Sequence, residues 1–303
     1  MAVYVAEYLG QRTDVNTPII NPIFNKAPCP FCAGNDCMKT GKEKNPVCCV
    51  RKEDGTLWIV CKNRLCSTKK KLPISSHQRT ILLDIARHVF SPTVKPDDVY
   101  VKREVPLSVS DSTNYKADYI MTLKSGASRF SGPDRIILEM QGGGETSETE
   151  KLTAIVNAWK TDPTPTNQKL RLLSQANTLE TNAWRRQQEQ FIVKGNIAML
   201  TWKGYGIAFC VGTLLYDYLK SKIDFTALPD LHDHNWTLAL IGIKEDTSHP
   251  PTPGSIPLVV DEDRLLYTNY QTFVHALINQ GKPSPKAFSG KFVSLNNQSK
   301  FII

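Results

Sequence analysis

The sequence predicts a mixed α/β protein, a mixed sheet flanked by helices, with a small cysteine-rich segment ahead of it. Three observations lead there. Three extended segments follow one another between residues 99 and 141, joined by short polar or Gly/Pro connections, and read as a β-meander. Helical periodicity takes over from residue 150 and returns to apolar strands after residue 235, an order that suits helices packed on a sheet. Seven cysteines fall between residues 29 and 66, and of the chain's eight only Cys210 lies elsewhere.

Taken in order, residues 1–28 show a short helical pattern (Val3, Val5, Ala6, Tyr8, Leu9) followed by the proline-broken "NTPIINPIFNKAP". The cysteine segment sets knuckle-like "CPFC" and "CKNRLC" around an expected strand, "TLWIVC", and closes on basic "STKKKLP". That basic stretch marks a boundary, so residues 1–71 form an arm and metal-binding module and residues 72–303 the main domain. In "SSHQRTILLDIARHVF", Ser75 and Gln78 have capping-box spacing and Ile81, Leu82, Ile85 and Val89 share one face, which predicts an amphipathic helix. The meander follows as "VYVKREVPLSVS", "NYKADYIMTL" and "RIILEM". Helices are expected over "EKLTAIVNAWK", "TLETNAWRRQQEQFIVKGNIAMLTW" and "GIAFCVGTLLYDYLKSKI". Strands "WTLALIGIK" and "SIPLVVDED" and a helix "TNYQTFVHALINQ" complete the domain.

The 303 residues are 41% hydrophobic and 22% charged, ordinary for a soluble globular protein. Glu7 interrupts the first apolar run and no 18 consecutive apolar residues occur, so the expectation is a cytoplasmic protein without a membrane span. The net charge of +8 suits a polyanionic partner such as nucleic acid, although a merely basic surface would look the same. Without a secretory signal, clustered thiols point to a tetrahedral metal site rather than disulfides. Spacing alone pairs Cys29 with Cys32 and Cys61 with Cys66, as in a zinc ribbon.

Three acids lie on or beside the meander: Glu104 in its first strand, Asp118 at the start of the second and Glu139 at the end of the third. Neighbouring strands stand about 5 Å apart, so carboxylates at matched heights converge. Their repulsion calls for a hard cation, Mg²⁺, which lowers the pKa of a bound water and steadies charge on a phosphodiester. An Asp followed after some tens of residues by Glu-x-Lys at a strand end resembles the PD-(D/E)xK nuclease pattern; here it reads Asp118, Glu139, Gln141, with an amide in the lysine's place. Strand alternation sets Glu139 and Gln141 on one face and turns Met140 into the core, its carbonyl available to a metal. The literal "PD" at Pro133 and Asp134 stands too near Glu139 to begin the preceding strand.

"YVAEYLGQR", "CPF", "DCMK", "VCCV", "WIVCKNR" and "ILEMQ" together resemble the NotI type of restriction endonuclease, a four-cysteine metal module ahead of a PD-(D/E)xK core. The resemblance implies a structural iron, or a zinc, on Cys29, Cys37, Cys48 and Cys61, with Cys32 and Cys66 as additions. It implies catalysis by Asp118, Glu139 and Gln141 with Glu104 as a supporting acid, although an ungapped alignment puts Pro106 at that place. Mg²⁺ would be held by Asp118, Glu139 and the Met140 carbonyl. The protein would be a prokaryotic type II restriction endonuclease, a homodimer cutting both strands of double-stranded DNA at a short palindrome, GC-rich by analogy. A sequence-specific DNA-binding protein without nuclease activity and a repair or recombination nuclease of the same fold are the alternatives. Lys102, Arg103 and Arg135 are the candidate DNA contacts, with the Arg185 and Arg186 pair, since an arginine fork matches guanine's major-groove acceptors. Arg51, Lys52, Lys62, Arg64 and Lys69 to Lys71 would let the module help to clasp DNA, and "GGGETSETE" after Gln141 would be a loop that orders on DNA or a turn.

Overall fold

A computed structural model describes residues 3–15, 29–32, 36–37, 47–65, 73–110, 113–124, 132–142, 180–201, 205–279 and 285–302. The helix expected over "EKLTAIVNAWK", the loop beyond Gly142 and Cys66 lie outside them, as do the side chains of Arg185 and Arg186.

The chain opens in extended form. Strand β1 (Val3–Tyr8) pairs antiparallel with β2 (Gln11–Arg12) and β3 (Val47–Lys52), and β3 with β4 (Leu57–Ile59), in the order β2-β1-β3-β4. The helical pattern expected at residues 3–9 is thus corrected: apolar residues on both faces of an inner strand imitate helical spacing, and β-branched Val3 and Val5 favour the strand. A single turn of 3₁₀ helix (Pro30–Cys32) and the short helix α1 (Lys62–Leu65) carry the two knuckles. Helix α2 (Ser76–Val89) begins at the expected capping box: the Ser75 hydroxyl accepts from the Gln78 N–H and the Gln78 side chain accepts from the Ser75 N–H.

The main sheet has six strands in the order β10-β9-β8-β7-β6-β5. Strands β5 (Val99–Ser110), β6 (Thr113–Leu123) and β7 (Arg135–Gln141) form the expected antiparallel meander. Strand β7 then runs parallel to β8 (Gly206–Gly212), β8 parallel to β9 (Leu238–Glu245), and β9 antiparallel to β10 (Leu258–Thr268). Strand β8 is a second correction, because "GIAFCVG" was expected to continue the helix behind it. Every residue of β8 is buried, and a central parallel strand reads as an unbroken apolar run that periodicity cannot tell from a buried helix. Helix α3 (Glu180–Thr201) precedes β8, α4 (Thr213–Lys222) links β8 to β9 in a βαβ unit, and α5 (Tyr270–Ile278) follows β10. A small hairpin, β11 (Lys291–Val293) with β12 (Lys300–Ile302), ends the described chain. Among the described residues no helix is long and apolar enough to cross a membrane.

Two apolar layers cover the sheet. One contains Phe191, Leu215 and Phe273 from α3, α4 and α5, packed on Ile137, Phe209 and Leu240. The other is shared by α2, the four-stranded sheet and the opposite face of the main sheet, so the cysteine segment and the main sheet bury their apolar side chains in one cluster. A buried ion pair reinforces that junction. Arg64 Nε lies 2.5 Å from Glu7 Oε2, both side chains fully buried. The other Glu7 oxygen accepts the Ile256 N–H at 2.9 Å, and the Arg64 guanidinium also donates to the Ile256 carbonyl. Arg64 therefore cannot contribute to a DNA-clasping surface, and Arg51 is engaged with Glu245 at 2.6 Å. Charge composition assigns such residues to the surface; a partner held inside by the fold reverses that.

Removing one member of a buried pair leaves an uncompensated charge, so Arg64→Met is expected to cost about 3–5 kcal/mol of stability in urea unfolding. A loss below about 1 kcal/mol, the range of an exposed pair, would show that the pair does not hold the junction.

Candidate active site

Strands β5, β6 and β7 bring Glu104, Asp118 and Glu139 to one height. Arg103 faces Tyr119 and Val105 faces Ala117, which sets Glu104 opposite Asp118; Tyr119 faces Leu138, which sets Asp118 opposite Glu139. The β6–β7 ladder ends there and side chains take over. The Met140 N–H donates to Asp118 Oδ2 at 3.0 Å and the Asp118 N–H to Glu139 Oε1 at 3.4 Å. A residue's N–H and carbonyl leave a strand on the same side, so the Met140 carbonyl also faces β6, while its side chain is buried in the core layer. Gln141 is the half-buried last residue of β7, two places beyond Glu139.

Glu104 has φ +46°, in the left-handed region that a glutamate rarely occupies. Its position coincides with a change of face in β5. Val99 and Val101 pack into the α2 layer, Val105 and Leu107 into the α3 layer. Such strain persists only where the surroundings over-determine it, and it sits here in the carboxylate row.

Sequence reasoning missed one member of the site. Lys194 of α3 is buried and its Nζ lies 2.7 Å from Glu139 Oε2. Its place is set by packing on both sides. The Phe191 ring packs tilted against Phe209 of β8, centroids 4.9 Å apart, and a Cβ at Gly195 would meet the Tyr270 ring at 2.0 Å, so only glycine allows α3 to seat this closely. The available signal was a single lysine inside the apolar run "FIVKGNIAML". A lysine there is buried only if something negative receives it.

The row remains short of positive charge. Burial, then the neighbouring Asp118, pushes the Glu139 carboxyl from an ordinary 4.5 up to about 8, against the pull of Lys194. Burial raises Asp118 too, with Glu104 adding to it, against the Met140 N–H and Lys194. Such carboxylates suit a divalent cation, the charge that would let them all ionise.

All the described cysteines of the N-terminal segment are buried, with Cys37 and Cys48 near Tyr8. The Cys29 thiol is raised first by hydrogen bonds to Cys32 and Cys37 and then by burial. Cys48 is raised by burial, then by Glu7 and Cys61. Burial raises Tyr8 as well, with Cys37 and Cys48 next, which puts it between the two groups. The Cys48 carbonyl accepts the N–H groups of both Val60 and Cys61 at 3.0 Å. Cys29, Cys37, Cys48 and Cys61 are each buried, and Cys32, which the family-implied set omits, is buried beside Cys29. Cys49 faces the Glu7–Arg64 pair instead, its thiol 3.3 Å from Glu7. Buried thiols that raise one another's pKa are a donor set that a soft or borderline ion would stabilise as thiolates. Among the described residues no group of three or more His, Cys, Asp or Glu side chains stands in metal-holding geometry.

Of the predicted DNA contacts, exposed Lys102 and Arg135 line a common groove on the sheet. The Arg135 guanidinium lies 4.9 Å from the centre of the Tyr205 ring. Arg103 is not part of the groove's lining and keeps a guanidinium nitrogen buried.

Between pH 4.5 and about 8, folded Glu139 holds a proton that the unfolded chain has released, so the folded state binds more protons. That contribution is fully present below pH 4.5 and is lost as pH rises to about 8. Urea unfolding in EDTA should show the decline, and Glu139→Gln, which cannot titrate, should flatten it; an identical slope in the variant would assign the pH dependence to other groups. For the cysteines, Cys29→Ser or Cys61→Ser should release metal and lower the melting temperature, and an unchanged melting curve would rule out a structural ion there. A comparison with known protein families finds none that matches the chain, and a comparison with curated proteins finds no match.

Proposed function

We propose that this protein is a Mg²⁺-dependent type II restriction endonuclease with a PD-(D/E)xK core in its ExQ form, acting as a homodimer on a palindromic site in double-stranded DNA. The observation that carries the reading is the row Glu104, Asp118 and Glu139 across three adjacent strands, with the Lys194 ammonium on Glu139. A groove presenting Lys102 and Arg135 on the same sheet, and the chain's net charge of +8, suit a polyanionic substrate. Two-fold symmetry in protein and site would give one active centre to each strand.

Asp118, Glu139 and the Met140 carbonyl are the groups that would hold Mg²⁺. When bound, the ion supplies a water of lowered pKa and stabilises charge on the phosphodiester. The chain's own groups do the rest. Gln141 carries no charge and cannot serve as a base, so it would orient water or phosphate by hydrogen bonding. Lys194 supplies from helix α3 the positive charge that a lysine at position 141 would have brought, and keeps the Glu139 carboxylate turned toward the row. Glu104 would assist as a supporting acid, able to accept a proton from water. In the cysteine module, Cys29, Cys37, Cys48 and Cys61, with Cys32 beside them, would hold one structural iron or zinc.

The test is incubation of the purified protein with a large sequenced DNA, with Mg²⁺ or with EDTA, followed by sequencing of the ends. Discrete Mg²⁺-dependent fragments sharing one palindrome are expected. Smearing would replace the restriction enzyme by a non-specific or structure-directed nuclease, and intact but gel-shifted DNA would replace it by a binding protein. Glu139→Ala should abolish cleavage while sparing most DNA binding. Lys194→Met should slow it by about a hundredfold or more, the scale of losing one preorganised charged donor.

A further inference from the structure

The groove beside the carboxylates has features that cleavage chemistry does not require. Its volume is about 440 Å³, and among the described residues no carboxylate lines it. Strand register arranges its walls in two rows. Tyr100, Thr122 and Arg135 face one another across β5, β6 and β7, and Tyr205 precedes β8 beside Arg135. Lys102 and Ile120 form the next row. The carboxylate row follows at the same interval, two residues further along each strand, or about 7 Å. This interval is comparable to the step between successive phosphates of a nucleic-acid strand.

Tyr100 stands out within these rows. It lies on the edge strand β5 with 54% of its surface exposed, a large aromatic ring facing water at the rim of the groove. Arg135 rests against Tyr205, which leaves the Tyr100 ring as the open flat surface. Cations flanking an exposed ring over an apolar floor recognise a ligand with both a phosphate and a flat heterocycle. Phosphate alone would need no ring, and an apolar ligand would need no cations.

We propose that this groove is a nucleotide-seating subsite. It takes the nucleotide next to the scissile phosphate, with its phosphate on Lys102 and Arg135 and its base against Tyr100. The proposal rests on the nuclease reading for the identity of the neighbouring site. It adds a substrate requirement: the base next to the cut must present its face to the protein, as a base inside an intact stack does not. The substrate class is therefore a strand whose base at this position is unpaired or drawn out of the stack.

The experiment measures binding without Mg²⁺, in EDTA, so that it is independent of cleavage. Two fluorescently labelled single-stranded probes are compared by anisotropy: oligothymidylate and an abasic phosphodiester oligomer of the same length. Wild-type protein is expected to bind the base-bearing probe about tenfold more tightly, the scale of one stacked base. Tyr100→Ala should erase that preference and Tyr100→Phe should keep it. Lys102→Gln should weaken both probes alike and make binding less dependent on salt. Thermal unfolding of each variant checks that the fold is intact; Tyr100→Phe preserves the ring should Tyr100→Ala prove unstable. Equal affinity of wild type for the two probes, or a preference that survives Tyr100→Ala, would overturn the subsite. Failure of DNA cleavage in Mg²⁺ would instead overturn the nuclease reading and leave a binding preference, if found, standing.

Discussion

The salt bridge between Glu7 and Arg64 ties together three pieces of chain: strand β1, the cysteine-bearing turn at α1 and the segment leading into β10. Two ions taken wholly out of water are costly, and their attraction offsets that cost only when the remaining hydrogen-bonding capacity is used. Here the Ile256 backbone and the Cys49 thiol use much of it. His77 completes the arrangement against Arg64, and burial, then that guanidinium, depresses its pKa to about 3, so it enters as a neutral ring. The pair therefore works as a lock on geometry. It sets the four-stranded sheet against the main sheet in one orientation, and the apolar layer between them can then pack.

The candidate site shows a second form of the same electrostatics, left deliberately incomplete by the fold. Three carboxylates and one ammonium share a row at the end of the β6–β7 ladder, where side chains make the remaining hydrogen bonds between those two strands. In the Glu7–Arg64 pair every charge has its opposite within reach. In the row, negative charge exceeds positive, and the excess is carried by protons at neutral pH or by a cation. A structural pair and a reactive one thus differ less in residue type than in whether the balance closes.

How much of this was legible in the sequence follows from the physics of each element. The meander and the matched heights of Asp118 and Glu139 could be read because antiparallel strands joined by short turns must pair in order, and alternation then dictates faces. The capping box of α2 is purely local and was equally clear. Strands β1 and β8 were not, because burial on both faces erases the period that distinguishes strand from helix. Lys194 was hidden for a related reason: its role depends on which helix crosses which strand, information that no spacing contains. Arg64 failed in the opposite direction, its charge suggesting solvent where the fold supplies Glu7.

Gly142 has a consequence for how the two parts of the chain live together. A Cβ there would lie 2.7 Å from the Ile59 carbonyl oxygen, so the residue after Gln141 runs directly against strand β4, two residues from Cys61. The end of the strand that carries Glu139 thus leans on strand β4, which leads directly into Cys61. Were the cysteines to hold the proposed ion, its loss would reach Glu139 through this contact, as a loosened support rather than as a missing ligand. The two parts are a tool and its vice: a chain bearing every acid of the site, but with slack thiols, would hold its carboxylates in a softened grip.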